Sequence, residues 1–518
     1  MLEKWSVFRF RRKEKPVRVP ADWLRENHLL FGSGEKALSV FLICRKSGRK
    51  GKGKRMNGNK NLTEGKVGKV LLRFSVPFFL ANLLQALYGA VDLMVVGKFC
   101  SAQSVAAVST GTQVTQIITS LITGFTLAGT VLVGRYTGMG KKKKVEETIG
   151  TTLVFFAVFS LALTLVFLLA VPVILGLLQV PEASYTEAFQ YVTICGLGIF
   201  FICEYNALSA VLRGYGDSLS PLLFVGAACV CNIAGDFLLV GCFSMGAAGT
   251  AAATVFSQGV SMLLAAASFW RRKKQFAFSV RSLRLQPQIL KEVIQVGIPV
   301  SFQECMVRLS FLYLTSITNR LGVSAASAVG IASKYDVFAM LPATSVGSAL
   351  SALTAQNMGA GKKSRADQFL RYGTAVSFSC SLVFFCWAQL SPETMLGLFT
   401  NDSGILKAGI PFLKSCSLDY VAVSLLFPVN GYLNGREKTV FTMANNCMGA
   451  LLIRVPILGF LRHEGIAWLG LYGLASPIAT ASMAGMNFVY LVWLKKREER
   501  RAQPGVGRTV PLSSDSGI

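Results

Sequence analysis

Tyr136-Thr137-Gly138-Met139-Gly140-Lys141-Lys142 closes one apolar run, and Asn357-Met358-Gly359-Ala360-Gly361-Lys362-Lys363 closes another, 221 residues on when counted from Gly138 to Gly359. Upstream of each, Val76-Pro77 lies over Ile298-Pro299 at an offset of 222, so one residue is lost between the two marks. Downstream, Arg213-Gly214 lies over Asn434-Gly435, again at 221. The chain is a tandem repeat, and what one half builds the other should build again.

Between these marks the apolar residues gather into runs near twenty long, the length a helix needs to cross a bilayer. The pattern predicts spans 1 to 6 at roughly 70–97, 104–133, 150–178, 185–212, 219–242 and 246–270. Spans 7 to 12 follow at roughly 290–320, 324–357, 368–399, 405–434, 439–461 and 467–494. Six crossings are an even number, so the second repeat enters the membrane in the orientation of the first. The expected fold is an all-α membrane protein, twelve transmembrane helices in two parallel six-helix repeats, an N-lobe and a C-lobe around a central cavity. In residue numbers this puts a basic, disordered extension at 1–60, the N-lobe at 61–275 and a linker at 276–285. The C-lobe follows at 286–497 and a disordered tail at 498–518.

Composition agrees. Of the 518 residues 52% are hydrophobic and 15% charged, where a soluble domain carries about a quarter charged; mean hydropathy is +0.50. The formal charge of +27 is distributed in a way that excludes a nucleic-acid partner. Residues 1–55 hold sixteen Lys/Arg against five acids, and most of the remainder lies in alternate loops. No function is drawn from that extension, whose run Ala37–Cys44 is too short for a cleavable signal. Twelve cysteines show no zinc or disulfide spacing and serve as small apolar residues. The two histidines, His28 and His463, lie outside the apolar runs.

Basic residues follow every even-numbered span: Lys141–Lys144, Arg271–Lys274, Lys362 with Lys363 and Arg365, Arg436 with Lys438, and Lys495–Arg497. The odd loops are poorer, holding Glu182 and Asp402. Both termini are therefore expected in the cytoplasm, in a multi-pass protein of the cell membrane.

An ionisable group inside a span costs on the order of 2.5–3.5 kcal/mol and needs a reason. Asp92 stands in span 1, and Asn232 and Asp236, four apart on one face, stand in span 5; span 6 adds Thr254. Counting at 1.5 Å per residue places Asp92, Asp236 and Thr254 roughly 8–12 Å below the outer surface. Two carboxylates sharing a buried site resist ionising together, which suits uptake of H⁺ or Na⁺; the bland alternative is that they only hydrogen-bond neighbouring helices. The second half does not copy this set, since Leu314 stands opposite Asp92 and Arg454-Val455-Pro456-Ile457 lies near the place of Asp236. Glu304 and Arg308 are four apart in span 7, the favourable order for an ion pair, with Lys334 and Asp336 in span 8. These four form either a structural ion network or a substrate contact, with Lys334 and Asp336 expected to reach span 7 rather than each other. Pro77 is a fixed bend or a hinge. Neither glycine-lysine run has the spacing of a phosphate loop, so no cofactor is expected and an ion gradient is the default energy source.

Together these residues resemble the multidrug and toxic compound extrusion (MATE) family, bacterial type, over roughly 65–495. The likeness runs through Pro77, Tyr88 and Asp92, Gly138 and Gly140, Leu212-Arg213-Gly214-Tyr215-Gly216-Asp217, and Asn232 to Asp236. It continues through Gly249 to Thr254, Gly297-Ile298-Pro299 with Gln303, and Gln356 to Ala360. The resemblance implies two lobes about a V-shaped cavity, with alternating access and export of small amphipathic, often cationic, compounds in exchange for H⁺ or Na⁺; the protein is expected to act as a monomer. It implies a cation site of Asp92, Asn232, Asp236 and Thr254, and a helix-1 bend at Pro77. Candidates for lining the substrate cavity are Gln85, Tyr88, Tyr205, Gln303, Glu304, Arg308, Lys334 and Asp336. Where some family branches carry an acid beyond Glu304, this chain reads near Val307, and span 10 offers no carboxylate deep in the membrane, Asp419 being nearest. Rival readings are a lipid-linked oligosaccharide or lipid-precursor flippase, usually with extra helices and a more cationic cavity, and a membrane enzyme, which lacks any nucleophile–base constellation here.

Overall fold

Twelve crossings emerge in the computed structural model, which describes residues 62–502 apart from 179, 277, 401, 463, 466 and 467. The first six are α1 (Val67–Phe99), α2 (Ala102–Gly138), α3 (Lys142–Leu177), α4 in two pieces (Glu182–Leu197 and Ile199–Gly214), α5 (Leu219–Asp236, then a π turn Phe237–Cys242) and α6 (Gly246–Arg272). The second six are α7 (Pro287–Arg320), α8 (Val323–Gly359), α9 (Lys363–Leu390) and α10 in two pieces (Ser403–Cys416 and Leu418–Gly435). They end with α11 (Thr439–Cys447, a π turn Met448–Arg454, Val455–Leu461) and α12 (Leu469–Ala502). Ten are long and apolar enough to span a membrane, and the two pieces of α4, bent by 40°, make an eleventh. The twelfth, α7, falls short on composition because it carries Lys291, Glu292, Glu304 and Arg308. On α3, Leu161, Leu165, Leu169, Val173 and Leu177 recur every four residues and are all exposed, a stripe that lipid alone can cover.

Local sequence explains the breaks. Gly140 and Gly361, equivalent in the repeat, turn the chain after α2 and α8 with φ of +69° and +73°, a conformation glycine adopts at little cost. Ser101 caps α2 through the Ser104 amide and Asp402 caps α10 through that of Ile405. α9 stops at Leu390 rather than 399, because Ser391 precedes Pro392 and such a residue avoids helical geometry; a short helix, Pro392–Gly397, follows. α3 starts at Lys142, earlier than its apolar run, and α12 continues through Ala502, past the expected start of the tail, where Glu498 pairs with Lys363 and Arg436. The extension at 1–60 with His28, as well as His463 and residues 503–518, lies outside the described residues. The eleven cysteines among the described residues are free.

One core gathers around Ile149, Phe156 and Leu212 of the first repeat, and another around Tyr420 and Tyr472 of the second. Two helices change allegiance along their length. Leu71, Phe74 and Phe78 of α1 pack with Val346, Leu350 and Leu353 of α8 and Phe369 of α9, whereas Val96 of α1 lies in the first repeat's core. Conversely, Ile289, Val293 and Val296 of α7 sit in the first repeat's core, and Leu314 and Ile317 in the second's. Pro77 and Pro299 stand near the crossover points, both buried inside continuous helices. The chain between α6 and α7 is tied down too: Thr151 of α3 receives the Gln286 amide at 3.1 Å and donates to the Arg284 carbonyl at 3.2 Å.

Candidate functional site

In the first repeat α1, α5 and α6 bring Asp92, Asn232, Asp236 and Thr254 together. Asp92 is 7% exposed, Asn232 1% and Asp236 0%. Asp92 interacts with Asp236, Asn232 and Thr254, and Asn232 donates its amide to the Thr254 hydroxyl at 3.3 Å. That donation leaves the Asn232 Oδ1 without a partner, as are Asp92 Oδ1 and both Asp236 oxygens, all buried. Four buried acceptors with no donor are costly unless something positive joins them. The donors are carboxylate, amide and hydroxyl oxygens, the set a hard cation or a proton takes. Among the described residues no three His, Cys, Asp or Glu cluster as for a tightly held metal ion.

Tyr88, Tyr191, Cys195 and Cys229 all feel the Asp92 charge, and Tyr191 is itself held by Thr112 at 3.3 Å. Directly after Asp236 the helix widens into its π turn, a local irregularity frequent where a helix serves a site.

The second repeat arranges its charges differently. Arg454, 3% exposed, ends the π turn of α11 and donates to Ser310 at 2.9 Å, with its guanidinium 4.2 Å from the Phe311 ring centre. Asp419 and Asp336 are its electrostatic partners. Tyr420 donates to Asp336 at 2.8 Å, and Asp419 interacts with Thr480. Here a guanidinium supplies the positive charge that the first repeat's carboxylates lack.

At the end of the bundle that carries the basic loops the repeats are sealed together. Arg135 of α2 makes two hydrogen bonds of 2.9 Å to Glu437, between α10 and α11, and lies 3.9 Å from Glu292 of α7. Tyr136 donates to Glu292 at 2.8 Å. Burial holds the Glu437 carboxyl above the ordinary glutamate range, with Arg135 acting the other way. The segment before α1 is strapped to the α8–α9 turn: Lys362 donates to the Thr63 carbonyl at 3.0 Å and Arg365 to the Gly65 carbonyl at 2.7 Å.

The eight cavity candidates separate. Gln85, Arg308 and Lys334 are exposed and Glu304 is half-buried. Tyr88 turns into the first repeat toward Tyr205 and Gln258, and buried Tyr205 bonds the Pro221 carbonyl at 3.3 Å. Gln303 is buried and accepts from Asn446 of α11 at 3.0 Å. Glu304 and Arg308 interact, while Asp336 reaches α10 and α11 rather than α7. Sequence reasoning passed over three groups: Arg454 as a network centre, Asp419 as a buried acid, and Glu204 of α4, whose Oε1 is buried and unpaired. Asp419 lies sixteen residues past Ser403, roughly 24 Å into α10 and near its middle, so span 10 does hold the deep carboxylate that the sequence reading denied it. The available signal was the plain one, a single charge inside an apolar run.

Comparison with known proteins agrees with this architecture. The MatE family model matches twice, at residues 77–238 and 299–458, once in each repeat. The chain is 27% identical over 431 residues to "Probable multidrug resistance protein YpnP" of Bacillus subtilis (strain 168), covering 83% of this chain and 94% of that one. It is 23% identical over 449 residues to "Probable multidrug resistance protein NorM" of Thermotoga maritima, covering 83% and 94%. Among solved structures, an outward-facing multidrug resistance MATE family transporter of the MOP superfamily superposes with a TM-score of 0.80 at 20% identity, over 87% of this chain and 100% of that one. With each repeat matched separately and the bundle superposed end to end, the chain belongs to the MatE family and is a multi-pass membrane transporter, not an enzyme.

Proposed function

We propose that the protein is a monomeric multidrug exporter of the cell membrane, driven by inward movement of H⁺ or Na⁺ and working by alternating access, with both termini and the basic loops in the cytoplasm. The observation that carries the coupling is the set of buried, partnerless oxygens on Asp92, Asn232 and Asp236. A cation entering there satisfies them, and its departure leaves two carboxylates facing each other in a dry site. Because that site lies in the wall of one repeat, filling it alters the packing of α1 against α5 and α6. Ion and amphipathic compound then compete through this wall, the ion favouring release of the compound outward.

The test is flux in proteoliposomes loaded with a fluorescent amphiphile, with a proton or a sodium gradient imposed separately. One gradient should drive export and the other should not, and Asp92→Asn should abolish the driven component. Undiminished export by Asp92→Asn would refute the coupling site.

A further inference from the structure

Above the seal the faces by which α7 and α8 meet the first repeat become exposed, and the charges they carry are not balanced. On α7, Gly297 packs on Phe125 of α2 so closely that a methyl would stand 2.4 Å from the ring. Ser301, four residues on, donates to the Leu121 carbonyl of α2 at 2.6 Å. Glu304, Arg308 and Thr315 continue this same face at helical spacing toward the far end of α7, where Arg308 and Thr315 are exposed. The lipid face of α7, marked by exposed Ile298, Phe302 and Leu309, is a different one. On α8, Ser345 meets Asn82 of α1 at 3.2 Å, and Lys334, eleven residues toward the far end, continues that face and is exposed. Arg308 lies twelve residues from the end of α7 and Lys334 eleven from the start of α8, so both stand roughly 17 Å deep.

No exposed acid opposes them on the facing sides of α1 and α2. Gln85 on α1 and Gln113 on α2 are the exposed polar groups that continue the facing sides, and both are neutral. Asp92 and Asp236 are buried within their own wall. Asp336 is taken by Tyr420 and Arg454. Glu304 is engaged with Arg308, and Lys334 forms no ion pair among the described residues. A bare ammonium held at mid-depth between low-dielectric walls attracts an anion strongly.

We propose that the exported compound carries an acidic group (a carboxylate, sulfonate or phosphate ester) and that Arg308 and Lys334 hold it on the second repeat's wall of the cleft. The proposal rests on the export reading and names its substrate class. The cation then sits on the carboxylates of the first repeat and the compound's acidic end on the cations of the second, which leaves the compound's apolar body to lie against the first repeat's wall, where the two compete. Arginine can grip a carboxylate with two parallel bonds and lysine adds a point charge.

The test uses three dansylated amphiphiles of one chain length, a carboxylic acid, its methyl ester and the corresponding primary amine, titrated against the purified protein in nanodiscs. The acid should bind at least about tenfold tighter than either of the others. Lys334→Gln and Arg308→Gln should each bring the acid-to-ester ratio toward one, and Lys334→Arg should largely keep it; thermal melting checks that each variant is folded. Equal binding of acid and ester, tighter binding of the amine, or a ratio untouched by Lys334→Gln would overturn the proposal. Acid-selective binding without gradient-driven flux would keep the anion site while removing the export reading, and flux with an amine preference would keep the export reading while overturning the anion site.

Discussion

Gly138 and Gly359, equivalent in the two repeats, are each filled by the main chain of the other's helix. A methyl on Gly138 would stand 2.0 Å from the Gln356 carbonyl oxygen of α8, and one on Gly359 would stand 2.2 Å from the Arg135 carbonyl oxygen of α2. The contact is reciprocal, as an axis relating the repeats demands. The glycines that mark the repeat are therefore its closest point of contact at the sealed end.

Gly138→Ala and Gly359→Ala should have matching effects. The obstructing atoms are backbone and cannot swing aside, so α2 and α8 must separate there. Overpacking of this kind costs typically 1–3 kcal/mol, and opening the seal should slow turnover by about tenfold or more. Gly485→Ala, where nothing lies within 4 Å, is the control. Melting temperature and vesicle flux read both effects; a harmless change at one glycine and a damaging one at the other would contradict the symmetry.

Glu437 is the polar half of that seal. It holds a positive φ of 59° although it is not glycine, a conformation that costs roughly 1–2 kcal/mol, and it does so while receiving both bonds from Arg135. Because the two side chains are 29–33% exposed, the pair should add little to stability. Glu437→Gln should leave the melting temperature nearly unchanged yet raise amide hydrogen exchange at the adjoining ends of α2 and α8. Unchanged exchange there would show that the glycine contact alone closes the end.

The repeat made the twelve helices legible, since the offset between Gly138 and Gly359 fixes where the second copy starts and parity fixes its direction. Asp92, Asp236 and Thr254 were legible for a related reason: counting residues from helix ends measures depth, and depth brought three helices to one level. Arg454 was not, because its partners Asp336 and Asp419 lie on two other helices, and depth says nothing of which way a helix is turned. The change of allegiance in α1 and α7 was hidden as well. Leu71 and Val96 look alike in an apolar run, and only packing shows that they belong to different cores.

That change of allegiance has a mechanical consequence. If the repeats part at the basic end, the first turns of α1 either leave α8 or bend away from the rest of α1, and those of α7 face the same choice against α2. Pro77 and Pro299 each lack the amide that would bond the preceding turn, so bending costs least there. Pro77→Ala and Pro299→Ala should both keep the fold and the melting temperature, and each should lower turnover about tenfold, since a stiffened hinge slows the opening and closing that gate transport. Neither residue carries a polar group to the amphiphile, so its equilibrium binding should stay unchanged. Normal flux from Pro299→Ala would mean that α7 moves as one rod and that the exchange of half-helices is static.

Arg454 provides the sharpest test of the second repeat. Removing one partner of a buried ionic group leaves the other uncompensated, typically at a cost of about 3–5 kcal/mol. Arg454→Leu should lower stability by that amount, because it strands Asp419 and Asp336 out of water. Adding Asp419→Asn to Arg454→Leu should recover a large part of the loss, since one carboxylate is then neutral and the other keeps the Tyr420 bond. The recovery is a coupling energy, readable from the thermal melts of the two single variants and the double. Strict additivity would mean that Arg454 and Asp419 do not act on each other and that the second repeat has no internal counter-charge.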